Sequence, residues 1–476
     1  MEEPLFDDHA MRRFIVDGYT QVQADYPPDF HRAIYDKIEA VFHAEGNPGN
    51  NILPRIPEIQ QIFDAPPVHA ALSALLGPDY AMHPHRYNHL NAPGNVGQDW
   101  HKDDYIYDQN VRHHRFRWVM AFYYPQDVTE DMGPTAIFPS RQHYNGLSNA
   151  DPTQSTELAL PLCGPAGTVS IVHFDTWHRA MANRSNQKRY MLKFQFTRME
   201  EPCEPAWHNR QKTWRPVDGD LHNGLSQHVW NWLSGRVVPE SMTGAGSTSQ
   251  HVRALRHRDE TVRLQAVYDL GSLGEQAVTD LLDALRAEAE DLAKENQTTS
   301  SANPQGVNPA DLCAAHALSA VGAPAVPALI AELANAHWAV RAAAADVLGN
   351  LAPVAVKAVP ELKRCVEDGE FWVRRNAAEA LGHIGVEEAV PALTEALADK
   401  DWRIRFNSAF ALAKIGPAAG EAVSFLAKLL TDENRYVRYY ATLALKRIGT
   451  PEAQEKLWRD LITARWCPAT TRESPY

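Results

Sequence analysis

The stretch Thr168–Thr197, TVSIVHFDTWHRAMANRSNQKRYMLKFQFT, decides how the first half of the chain folds. It opens and closes on strand-like runs, Thr168 to Phe174 and Arg189 to Thr197, with a histidine-bearing polar segment between them. Side chains alternate across an extended chain. The second run therefore sorts Tyr190, Leu192, Phe194 and Phe196 onto one face and Arg189, Met191, Lys193, Gln195 and Thr197 onto the other. The apolar face is expected to pack on outer structure and the polar face to look inward. A guanidinium facing inward needs an anionic partner, because a buried unpaired charge is costly.

Working outward from this stretch, Trp100-His101-Lys102-Asp103 lies upstream. On an extended segment residues i and i+2 point the same way, so His101 and Asp103 can offer an imidazole nitrogen and a carboxylate oxygen to one ion. His178 supplies a third donor and leaves the other positions of an octahedral ion open. Two histidines and one carboxylate are the signature of non-haem Fe(II) oxygenases. His-x-Asp alone is weak, since it also occurs at His173/Asp175 and His257/Asp259. Only the first copy is followed by a distant histidine with an arginine eleven residues beyond it, His178 and Arg189. A dicarboxylate held by Arg189 in a two-pronged pair, with a 2-oxo acid end on the metal, completes the constellation. Trp118, Arg86 and Asn88 flank the metal motif and are the candidates for the cosubstrate or substrate pocket. Lys193 and Gln195 join them because they share the face of Arg189. His83, His85, His89, His113 and His114 form a histidine-rich setting that reads first as structural.

With these residues in view, the chain from about residue 10 to 215 resembles the phytanoyl-CoA dioxygenase family. The resemblance rests on His101-x-Asp103, Arg117-Trp118-Val119-Met120-Ala121-Phe122, Gly133-Pro134-Thr135-Ala136-Ile137-Phe138-Pro139-Ser140-Arg141-Gln142-His143, and His178 with Arg189. It implies a double-stranded β-helix, a jelly-roll or cupin-like barrel with flanking helices. It also implies Fe(II) on His101, Asp103 and His178, with 2-oxoglutarate and O2 as cosubstrates and the 2-oxoglutarate carboxylate on Arg189. Two departures stand out. The proline-serine-histidine turn carries an extra residue and lacks a glycine, and Ala180 stands where many relatives have a hydroxyl that touches 2-oxoglutarate. Relatives that halogenate lack the carboxylate, so Asp103 favours hydroxylation.

The texture changes near residue 245. Val262-Arg263, Val340-Arg341, Val373-Arg374, Ile404-Arg405 and Val437-Arg438 anchor recurring alanine- and leucine-rich units. The later anchors lie 31 to 33 residues apart. Gly274, Gly385, Gly416 and Gly449 recur twelve residues after the anchor, and Asn335, Asp368, Asp399 and Asp432 five before it. A weaker unit centres on Ala310 and ends at Gly322, after a polar insertion, ENQTTSSANPQGVN. Paired amphipathic helices that complete one another's core by stacking form a solenoid. The aspartate is expected to cap the second helix, the arginine to bond to it or to its neighbour in a ladder, and the glycine to end the helix. These units resemble HEAT repeats of the short bacterial-lyase type. Trp338, Phe371, Trp372, Trp402 and Tyr436 recur before the anchors as turn packing or a partner-binding ridge. The expected organisation is a dioxygenase domain over 1–241, a linker over 242–250, an α-helical HEAT-repeat solenoid over 251–465 and a tail over 466–476.

Composition narrows the partners. The net charge of -13, with no lysine- or arginine-rich run, disfavours nucleic acid. No apolar run spans a membrane, and the N-terminus lacks an apolar leader. Five scattered cysteines form neither a disulfide framework nor a CxxC site, in keeping with a reducing cytoplasm. The expected substrate is a small molecule, carrier-bound or CoA-linked. The alternatives are a protein substrate presented by the repeats, or an inactive barrel on a helical scaffold. A di-iron site within the repeats is excluded on ligands, since the chain has no His-Glu dipeptide.

Overall fold

The computed structural model describes residues 6–103, 113–146, 158–236, 247–295 and 306–465. The chain divides into two compact units, Met1–Leu273 and Gly274–Tyr476.

The first unit is built on nine strands: β1 (Tyr19–Gln23), β2 (Tyr80–Met82), β3 (Tyr87–Asn91), β4 (Trp118–Tyr123), β5 (Thr135–Ile137), β6 (Leu160–Pro161), β7 (Thr168–His173), β8 (His178–Ala180) and β9 (Arg189–Arg198). Six of them form one antiparallel sheet in the order β1-β7-β4-β9-β2, with β3 also on β9. The other three form a small antiparallel sheet, β6-β5-β8. The expected β-helix thus takes the form of two sheets, and among the described residues no strand pairing closes them into a barrel.

The alternation of β9 holds. Phe194 and Phe196 stack against Phe63 of the Glu58–Asp64 helix, and Tyr190 meets Tyr35 and Phe42 of the Pro28–Glu45 helix. All ten residues of β9 are buried, the apolar face by helices and the polar face by the interior. Proline at the first turn suits the helices at Pro28 and Pro66, where no intrahelical N–H is needed.

The compact units divide between Leu273 and Gly274, inside the 251–465 range expected for the repeats. Residues 237–246, which hold most of the 242–250 linker, lie outside the described residues, as do the 466–476 tail and residues 296–305 of the polar insertion. The helices Thr248–Ala254 and Glu260–Leu273 group with the sheets, not with the solenoid. The reason is polar as much as apolar. The Tyr268 hydroxyl lies 2.6 Å from His114 Nδ1, Thr261 Oγ1 lies 2.9 Å from the Tyr144 hydroxyl, and Glu260 Oε1 accepts the Asn145 and Gly146 N–H groups.

The second unit repeats a helix pair. The helices Trp338–Asn350, Phe371–Ile384, Trp402–Ile415 and Arg435–Ile448 pack in series. The arginine ladder is present and runs forward. Arg341 bonds to Asp368, Arg374 to Asp399 and Arg405 to Asp432, while each arginine also donates to a carbonyl of its own turn. The aspartates do not cap the helix as expected. Asp399 and Asp432 accept the N–H two residues on, which folds the turn. The cap falls to Asp401 and Asn434. Gly385 and Gly449 end their helices in the left-handed region, at φ 71° and 68°. The run Trp402–Thr431 is long and apolar enough to cross a membrane by composition, but it is a repeat's helix pair broken at Gly416–Ala422.

Candidate metal centre

His178 begins β8, and His101 sits directly opposite it in a single antiparallel bridge. The backbones of the two exchange both hydrogen bonds, at 3.1 and 2.9 Å. This pairing brings their rings to a centroid separation of 4.5 Å. Asp103, two residues further along the extended chain, follows to the same side. The ligand atoms of His101, Asp103 and His178 lie within 4.8 Å of one another, and no other such cluster occurs among the described residues.

The imidazoles are oriented for this role. His101 Nδ1 lies 2.9 Å from the Asp99 carbonyl, and His178 Nδ1 lies 3.0 Å from the Thr176 carbonyl. A carbonyl only accepts, so each Nδ1 carries the hydrogen and each Nε2 keeps its lone pair for a metal. Burial holds the His178 imidazole down at about 4, which leaves it neutral and able to ligate at pH 7. For Asp103, burial pushes the carboxyl up, but the Lys193 ammonium and the neighbouring histidines outweigh it and hold the group at about 2. It is ionised at neutral pH. Lys193 Nζ donates to Asp103 Oδ2 at 2.7 Å, while Oδ1 lies 3.7 Å from His178 Nε2.

The three donors open onto a cavity of about 720 Å³. Arg189 lines it from the start of β9 and is 1% exposed. Its Nε and Nη2 both donate to the Gly133 carbonyl, at 3.1 and 2.6 Å, and burial pulls its pKa down. No acidic side chain pairs with it among the described residues. Asn91, opposite Arg189 in the β3–β9 register, donates to the same carbonyl at 2.8 Å. Gly133 is required there. Its φ is 67°, and a Cβ would meet Asn91 Nδ2 and the Met181 carbonyl at 2.5 Å.

The remaining sequence candidates separate. Lys193 lines the cavity, but its ammonium engages Asp103. Gln195 and Trp118 point to the same interior side but do not line the cavity. Gln195 lies two residues beyond Lys193, and Trp118 lies four before Phe122, which pairs with Lys193. At roughly 3.3 Å per residue each is carried away from the metal. Trp118 packs on His83 and Phe174 instead. Asn88 pairs with Leu192 and so faces away from the cavity. Arg86, just before β3, does not line the cavity either. The residues that do line it from β3 are Tyr87, His89 and Asn91. Burial, with Lys193 and Arg189, holds His89 at about 3.

Thr135 is a lining residue that the sequence reading missed. It is 2% exposed, and its hydroxyl has no partner among the described residues. In the β5–β8 register it lies opposite Ala180, the position where a hydroxyl is lacking. The signal was available only in that register, which sequence spacing does not carry.

Residues 20–191 match the phytanoyl-CoA dioxygenase (PhyH) family model. Residues 326–413 and 390–465 match HEAT repeats, and 262–287 match the PBS lyase HEAT-like repeat. The chain carries a phytanoyl-CoA dioxygenase domain followed by HEAT repeats. The dioxygenase match contains the triad and Arg189, while the last match begins inside the Glu260–Leu273 helix. No curated protein matches the chain. Among solved structures, the non-heme monooxygenase ThoJ in complex with nickel is similar at 14% identity, over 47% of this chain and 95% of that one, with a TM-score of 0.32. The non-heme alpha-ketoglutarate-dependent epimerase SnoN from nogalamycin biosynthesis is similar at 14% identity, over 40% and 81%, with a TM-score of 0.35. HygX from Streptomyces hygroscopicus, with nickel and 2-oxoglutarate bound, is similar at 12% identity, over 39% and 84%, with a TM-score of 0.33.

Proposed function

We propose that the protein is an Fe(II)- and 2-oxoglutarate-dependent dioxygenase that hydroxylates an unactivated C–H bond of a small-molecule, carrier-bound or CoA-linked substrate. The observation that carries the proposal is the convergence of His101, Asp103 and His178 on one cavity that also holds a buried guanidinium with no acidic partner among the described residues. Two imidazoles that each turn Nε2 toward the site, with one carboxylate, suit ferrous iron. Arg189 suits the far carboxylate of 2-oxoglutarate, with the unpartnered Thr135 hydroxyl as a second donor beside it. Bound iron, 2-oxoglutarate and O2 supply the oxidation, in which one oxygen atom enters the C–H bond and the other leaves in succinate, with release of CO2. The chain's own part is to hold the ligands in one protonation state and to fix the dicarboxylate by its distal end. The Asp103 carboxylate beside the two histidines supports hydroxylation over halogenation. The repeats are a candidate surface for a protein partner. No disulfide occurs among the described cysteines, Cys163, Cys203, Cys313 and Cys365, and a reducing, cytoplasmic setting is part of the proposal.

The test is anaerobic titration of Fe(II) and 2-oxoglutarate, following the weak visible charge-transfer band of the chelate in wild type and His178→Ala. A band in wild type that is lost in the variant is expected. A correctly folded wild type without a band overturns the reading and leaves a binding protein of β-sheets and a helical solenoid.

A further inference from the structure

We infer that Lys193 is a positioning residue for the metal-binding carboxylate, and that it reserves one of the two Asp103 oxygens so that only the other reaches the metal. The inference rests on the proposed metal site.

The geometry divides the carboxylate. Oδ2 accepts the Lys193 ammonium at 2.7 Å, and Oδ1 is the oxygen turned toward His178 Nε2 at 3.7 Å. Both side chains are buried, at 7% and 5% exposure. At such a site a charge-assisted hydrogen bond is strong, because little water competes for either partner. Lys193 is also held in place from behind. It lies in the middle of β9, paired with Phe122 of β4 on one side and Tyr87 of β3 on the other. Bound through both oxygens, Asp103 would leave Oδ2 shared between the metal and the Lys193 ammonium, two cationic partners on one oxygen.

The consequence is a coordination count. Three protein atoms bind, one from each residue, and three positions of a six-coordinate ion stay open. A carboxylate that took a second position would leave two, too few for a two-point chelate and a third small ligand together. Hydrogen-bonding partners behind metal ligands commonly orient them in this way. The pair also balances charge. Asp103 and Lys193 together are neutral before any metal arrives, so the metal-free site carries no unpaired buried carboxylate.

The test loads the full-length protein with Mn(II) alone and measures water-proton relaxation, which reports the number of exchangeable waters on the bound ion. Wild type is expected to hold about three. Lys193→Met and Lys193→Leu, both folded by circular dichroism, are expected to free Oδ2 and lower the relaxivity of the bound ion by about a third. Lys193→Arg keeps a cationic donor and restores the wild-type value. Unchanged relaxivity in both apolar variants, with the wild-type signal intact, overturns the inference and returns Lys193 to the substrate pocket. Absence of bound Mn(II) in wild type overturns the metal site itself, and the inference with it. If one apolar variant fails to fold, the other carries the measurement.

Discussion

Thr135 shows what a single side chain can add to the site. It is a buried hydroxyl on β5 with no partner among the described residues, and an unsatisfied buried hydroxyl costs free energy until a ligand arrives. Thr135→Val keeps the β-branched shape that suits the strand and removes only the hydroxyl. Affinity for 2-oxoglutarate, measured by calorimetry on the metal-loaded protein, is expected to fall about tenfold, the loss of one hydrogen bond to a charged group. Affinity for the metal is expected to stay unchanged. Equal 2-oxoglutarate affinity in both proteins excludes Thr135 from the cosubstrate pocket. The contrast between Thr135 and Asp103 explains what was legible at this scale. Asp103 is fixed relative to His101 by the period of the chain itself. Thr135 and Asn91 enter the site only through cross-strand register, Thr135 against Ala180 and Asn91 against Arg189. A slip of one residue would turn either to the opposite face, and nothing in the local sequence sets that register.

Whole elements were more readable than their neighbours. β7 and β9 run over Thr168–His173 and Arg189–Arg198, close to the expected strands, because long alternation is a strong signal. Of the β3 residues the sequence argument names only Asn88 and His89, and of these two His89 lines the cavity. Tyr87, His89 and Asn91 are polar or aromatic, and the opposite face carries Asn88 beside Leu90, so hydrophobicity does not mark the cavity side. In the solenoid the repeat anchors were legible, and the turn aspartates took a different role from the one expected. The ladder that they form with the arginines is testable. Arg374 reaches Asp399 in the next unit and also donates to the Asp368 and Gly369 carbonyls. Arg374→Ala is expected to destabilise the solenoid by about 1–3 kcal/mol, as for lost hydrogen bonds to charged groups. Arg364→Ala removes a solvent-exposed ion pair with Glu361 and is expected to change stability by less than about 1 kcal/mol. Denaturant unfolding of the two variants checks the difference, and equal losses would mean that the ladder adds nothing beyond an ordinary surface pair.

The two units meet acid with different chemistry. In the first, burial holds the imidazoles of His173, His178 and His222 at about 3, 4 and 4, and holds His83 lower still than its ordinary range. A lowered folded pKa means that the unfolded chain takes up these protons first. Stability conferred by the neutral imidazoles is complete above about pH 6.5 and falls as pH drops toward the folded values. Each histidine contributes up to about 1.4 kcal/mol per pH unit over that window. In the second unit the groups with shifted acidity include Asp368 and Asp401. Burial pushes both up, but their arginine partners and backbone N–H groups hold them below the usual carboxylate value. That stability is present above about pH 4 and is lost only as pH falls below it. The order of acid unfolding follows from the difference. Pepsin added to the full chain at about pH 4.5 is expected to cut within residues 6–273 and to leave a resistant fragment that starts near Gly274, with peptide mapping as the readout. The boundary matters to this outcome. A resistant fragment that starts near residue 251 would show that the Glu260–Leu273 helix stays with the repeats when the sheets open. Its bonds through Glu260, Thr261 and Tyr268 to Asn145, Tyr144 and His114 would then not hold it to the sheets in acid. Cleavage of the repeats before the first unit would remove the histidines as the acid-sensitive groups.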